Sequence, residues 1–88
     1  MDVKRFLNKF NRNYEMLYDG GDEDPRYREL VKVATELMKE VSEQYPEDLD
    51  AIVAERGDWF MSDREIAAFG LTYSDMVIED LFSTGDLN

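Results

Sequence analysis

Eighty-eight residues, 21 of them acidic against 10 basic, give a chain of net charge −11 that has room for one domain of modest core. Having neither cysteine nor histidine, it has no disulfide framework, thiolate nucleophile, imidazole base or zinc site built on those ligands. The acidity argues against direct nucleic-acid binding, which rests on neutralising phosphates with Lys and Arg.

The first element is an amphipathic helix over about residues 2–17, because Val3, Phe6, Leu7, Phe10, Tyr14 and Leu17 step by three or four. Asn13 and the run Asp19-Gly20-Gly21-Asp22-Glu23-Asp24 are expected to end it. Asp24 followed by Pro25 then opens a second helix, the carboxylate accepting unpaired N–H groups and the proline lacking the donor that would go unpaired. Tyr27, Leu30, Val31, Ala34, Leu37, Met38, Val41 and Tyr45 mark its apolar stripe. Arg28, Glu29, Lys32, Glu36 and Lys39 read as its solvated face. Pro46 stops that helix and starts a third, with Glu47 and Asp48 in its first turn and Gly57 suited to its left-handed end. Leu49, Ile52 and Val53 are its inward residues.

Trp59-Phe60-Met61 reads as a short apolar connector, and Ser62-x-x-Glu65 as a capping box opening a brief fourth helix closed by Gly70. Thr72-x-x-Asp75 is expected to start a fifth, with Met76, Val77, Leu81 and Phe82 inward and Gly85 at its end. No strand-type alternation competes, so the expected fold class is all-α: one domain over residues 1–88, about five helices, and a homodimer that supplements the small core. No apolar run reaches a membrane span and the first residues show no signal-type apolar stretch, so the expected compartment is cytoplasmic, the host cytoplasm if the chain is phage-encoded.

The sites such a chain can build are few. The acids of Asp19–Asp24 could gather a hard cation, but glycine is missing from the sharp-turn position of a calcium loop, and the twelfth residue from Asp19 is Leu30 instead of a bidentate acid. Neither a metal nor a cofactor is expected. No nucleophile–base pair or phosphate loop is present, and nothing suggests a cleft framing two carboxylates, so enzymatic activity is not expected either. Ser62 to Phe82 has the pattern of a helix-turn-helix, yet its would-be recognition helix carries Asp75, Glu79 and Asp80 and no base, which rejects it as a DNA reader. Most of the eleven aromatic residues fall on apolar stripes and read as core. Trp59, with Phe60 beside it, is the exception, placed to cover a core end or a dimer seam.

The distribution of charge narrows the function. Lys4, Arg5, Lys9 and Arg12 against Asp2 and Glu15 leave residues 1–18 at +2, residues 26–45 are neutral, and residues 46–88 carry −9. Glu47, Asp48, Asp50, Glu55, Asp58, Asp63, Glu65, Asp75, Glu79 and Asp80 form a long acidic series interrupted only by Arg56 and Arg64. Carboxylates three or four apart share a helix face about 5–6 Å from one another. Laid out in rows they could counterfeit a polyanionic backbone and enter the basic groove of an enzyme that grips DNA. The bland alternative is an acidic surface with no partner. A third reading is a small helical adaptor that binds through a hydrophobic patch around Trp59.

Tyr45-x-x-Asp48-Leu49-x-x-Ile52-Val53-Ala54-x-x-Gly57 resembles the middle of the Ocr family of phage antirestriction proteins. Phe10-x-x-x-Tyr14-Glu15-Met16-Leu17 resembles that family's first helix, and Tyr73-x-x-Met76-x-Ile78-Glu79 its late helix. The resemblance implies a bent, all-helical homodimer shaped and charged like duplex DNA, which inhibits type I restriction–modification enzymes or similar defence systems by occupying their DNA-binding groove. It places Asp48, Glu15 and Glu79 among the acids concerned; the other acids follow from charge and helical phase. The chain departs from the family in its basic first helix, which Asp19–Asp24 could neutralise, and in ending Ser83-Thr84-Gly85-Asp86-Leu87-Asn88 without a dense acidic run.

Overall fold

The computed structural model describes residues 2–17 and 24–86, with side chains as far as Leu81. Within them the chain forms four α-helices and no strand: α1 Val3–Met16, α2 Pro25–Gln44, α3 Pro46–Arg56 and α4 Asp63–Asp86. None is long and apolar enough to cross a membrane. Helix α4 packs on α1 and α2, and α3 packs on the same two; α3 and α4 make no close backbone approach and meet through the side chains of Arg56 and Glu65.

Local chemistry explains most of the boundaries. The Asp2 side chain caps α1 by accepting from the Arg5 N–H at 3.1 Å, and the Asp24 side chain caps α2 through the Arg26 N–H at 2.8 Å, with Pro25 in the first turn. Pro46 opens α3 directly behind α2, and Gly57 closes it at φ 83, a left-handed position that a side chain would strain. At the head of α4, Ser62 and Glu65 exchange hydrogen bonds: the Ser62 N–H donates to Glu65 Oε1 at 3.1 Å, and the Glu65 N–H donates to Ser62 Oγ at 3.1 Å. Asn13 does not end α1; it lies inside the helix, whose C-cap is Leu17.

The expected break near Gly70 does not occur. One helix replaces the two foreseen over Ser62–Phe82, so there is no helix-turn-helix, and α4 runs on past Gly85. Two tertiary contacts give Gly70 and Thr72 other work. A Cβ at Gly70 would stand 2.6 Å from the Ala34 Cβ, so glycine here permits the close approach of α2 and α4. Thr72 is fully buried; its hydroxyl donates to the Ala68 carbonyl at 2.7 Å and accepts from Asn13 Nδ2 at 2.9 Å, tying α1 to α4.

The core joins α1, the connector and α4 through aromatic rings, and α2 and α3 through aliphatic side chains and methionine. Phe69 lies 5.7 Å from Phe6, 5.1 Å from Phe60 and 5.7 Å from Tyr73, and Phe60 lies 5.2 Å from Phe10. Met38, Val41, Leu49, Ile52 and Met76 fill the remaining space. Of the residues expected inward on the last helix, Met76 is buried, whereas Val77 and Leu81 are 41% and 68% exposed. The side chain of Phe82 lies outside the described residues.

Candidate partner-binding face

Helix α3 has the densest net negative charge of the four helices, and packing sorts its charges. Leu49 and Ile52 are buried against α1 and α2. Glu47, Asp50, Ala51, Ala54 and Glu55 are exposed on the opposite side, and Asp58 follows in the turn; Asp48 is half-buried. The one cation of α3 is absent from that outer face. Arg56 folds inward, its guanidinium 4.6 Å from the Phe60 ring centre and 5.2 Å from that of Phe10. It donates to the carbonyl of Trp59 at 2.9 Å and pairs with Glu65. Among the described residues Glu47, Asp50, Glu55 and Asp58 have no ion pair, and neither has the exposed Asp63 that follows them.

The acids of α4 have other surroundings. Glu79 binds both Arg5 and Lys9 of α1, and the hydrogen bond from Lys9, with the positive charges of Arg5 and Lys9, holds its carboxyl below the ordinary glutamate range. Asp75 lines a polar recess of about 230 Å³ with Lys9, Arg12, Asn13 and Met16. Glu65 is half-buried; burial pushes its pKa up, but the hydrogen bonds from Arg56 and Ser62 outweigh this and hold it below its usual value. Asp80 is exposed. The ten candidate acids therefore fall into groups. Glu47, Asp50, Glu55, Asp58 and Asp63 face solvent along α3 and the connector, Asp48 is half-buried beside Tyr73, Glu65 is tied into the fold, Asp75 and Glu79 lie against the basic side of α1, and Asp80 is exposed on α4.

Of the bases on helix α1, Arg5 and Lys9 are answered by Glu79 of α4. The acids Asp19, Asp22 and Glu23, expected to neutralise them, lie outside the described residues, and Asp24 instead pairs with Arg26. Among the described residues no three acidic side chains gather as a metal site. Trp59 and Phe60 part company: Phe60 is a core residue at 2% exposure, while Trp59 is 43% and Met61 76% exposed.

An apolar groove escaped the sequence reading. Leu37, Val41 and Tyr45 face Tyr73, Val77 and Ile78 across a cleft of about 510 Å³ between α2 and α4. The exposure of Val77 carried no signal, since its spacing after Phe69 and Tyr73 is that of a core residue, whereas Ile78 falls off that stripe. Compared with family models, with curated proteins and with solved structures, the chain matches none.

Proposed function

We propose that this chain is a non-enzymatic DNA mimic that inhibits a bacterial DNA-binding defence enzyme, of the type I restriction–modification class or a similar system, by laying the outer face of α3 in its basic groove. The observation that carries this reading is the sorting of charge on α3: carboxylates outward, the single arginine inward on Phe10 and Phe60. From Glu47 to Glu55 the helical rise amounts to roughly 12 Å, so the three exposed acids of α3 stand ~6 Å apart on average. The row is sparser than the ~3.4 Å per phosphate of one DNA strand, and Asp58 extends it beyond the helix end. Asp63 continues the series, and the pairing of Glu79 with Arg5 and Lys9 keeps part of the basic patch of α1 from opposing it.

Inhibition of DNA cleavage by a type I restriction enzyme tests the proposal. The expected result is stoichiometric inhibition, competitive with DNA and lost by tenfold or more between about 50 and 200 mM salt, as for phosphate contacts themselves. Inhibition that ignores salt, or that survives Asp50→Lys with Glu55→Lys in an intact fold, overturns it. The exposed Trp59 and Met61 support a second reading, a small adaptor binding a partner through this apolar connector. That reading requires Trp59→Ala to abolish binding, whereas a mimic retains it.

A further inference from the structure

The groove between α2 and α4 is a separate surface from the outer face of α3, and its chemistry is mixed. Its floor is apolar: Leu37, Val41, Tyr73, Val77 and Ile78 line it, and a shallower extension of about 70 Å³ runs past Leu30 and Val33 to Leu71. Val33, Tyr45, Val77 and Ile78 are 53%, 56%, 41% and 48% exposed, a row of large apolar side chains left in water along one seam. From Val33 to Tyr45 the seam runs roughly 18 Å, about three turns of helix.

The α2 edge of this seam is acidic where it meets the groove. Glu40 lines the groove itself. Glu36 stands one turn before it, and Glu29 one turn before Val33, on the same side of the helix. Lys32 and Lys39 are one-turn neighbours of Glu36 but lie further round α2, which leaves Glu40 as the charge nearest the floor. The end of the groove is acidic as well, where the charge of Asp48, after burial, helps to raise the Tyr73 hydroxyl pKa above its ordinary value. Arg26, near the opposite end, is held by Asp24.

We infer that this seam is a docking groove for an amphipathic helix of a partner protein, its apolar knobs seated among Leu37, Val41, Val77 and Ile78 and its flanking Lys or Arg side chains set against Glu36, Glu40 and Asp48. Charge complementarity selects this occupant. A second copy would bring another −11 chain and a matching acidic rim against the first, and a nucleic acid or an anionic membrane would meet the same repulsion. A basic helix both covers the apolar floor and neutralises the rim, the mode in which amphipathic helices are read at i, i+3, i+4 and i+7.

A labelled 18-residue peptide with leucines at that spacing and lysines elsewhere serves as the probe, titrated by fluorescence anisotropy against the full chain at physiological salt. Binding should weaken tenfold or more with Ile78→Arg and with Val77→Ser, exposed positions whose substitution leaves the helical circular dichroism unchanged. It should weaken about threefold with Glu40→Gln and not at all with Asp50→Asn on α3, while the same peptide with glutamate for lysine should not bind. Equal loss from Asp50→Asn and Glu40→Gln would mean that the peptide reads only total charge. Undiminished binding to both groove variants, or comparable binding of the glutamate peptide, also overturns the inference. So does a dimer in sedimentation equilibrium that Ile78→Arg dissolves, which would place a second copy on the seam.

Discussion

Gly70 sits in the middle of α4 with the Ala34 Cβ 2.6 Å from where its own would be, and two effects oppose each other there. Alanine is the better helix former by about 1 kcal/mol. The contact is with a rigid methyl, however, and overpacking costs typically ~1–3 kcal/mol. Gly70→Ala is therefore expected to lower the urea midpoint, and Ala34→Gly in the same chain to recover part of the loss by relieving the clash, with a residual cost from glycine within α2. At Glu65 the prediction concerns pH. Its folded pKa is depressed, so its contribution is present above the unfolded glutamate range and fades as pH falls through the lower folded value. Glu65→Gln should cost about 1–3 kcal/mol at neutral pH, because the amide has one acceptor oxygen where the carboxylate serves Arg56 with one and Ser62 with the other, and Arg56 loses its counter-charge. The difference from wild type should shrink on acidification below the usual glutamate pKa, which urea unfolding at several pH values would reveal.

At the scale of elements, the connector between α3 and α4 separates packing from exposure at adjacent positions. Phe60 lies between Phe10 and Phe69 and is 2% exposed, so Phe60→Ala should cost roughly 3–5 kcal/mol. Trp59, 43% exposed, should cost under about 1 kcal/mol when truncated, measured in the same denaturation series. On α3, the expectation that Pro46 opens the helix and Gly57 ends it holds, because both act through backbone geometry that no neighbour alters. On α4 tertiary contacts override the local signals. Glycine and threonine carry local stop and cap signals, but Ala34 and Asn13 use Gly70 and Thr72 for close packing and a buried hydrogen bond, and a continuous helix satisfies its backbone better than a break.

For the whole molecule, a net charge of −11 has two opposite consequences with salt. Self-repulsion in the compact state is screened, so the thermal midpoint should rise as ionic strength goes from about 0.01 to 0.15 M, where the Debye length falls from ~30 to ~8 Å. Binding to a basic groove should weaken over the same range. A protein whose stability and inhibition both fall with salt would contradict the charge distribution described for α3. The bundle also explains why the acidic series does not act as one row. Helices α3 and α4 make no close backbone approach, and α1, packed on both, supplies the cations that Glu79 meets.

The amino-acid order alone determined the helical class, the caps at Asp24 and Ser62, the turn at Gly57 and the aromatic stripes, since each depends on periodicity or on residues within four positions of one another. Only tertiary structure decided that α4 is unbroken, that Arg56 turns inward while Glu47, Asp50 and Glu55 remain in water, and that Val77 and Ile78 border an open groove. Those outcomes rest on contacts between residues far apart in the chain, such as Arg5 with Glu79 and Asn13 with Thr72, whose strength depends on what else is buried beside them.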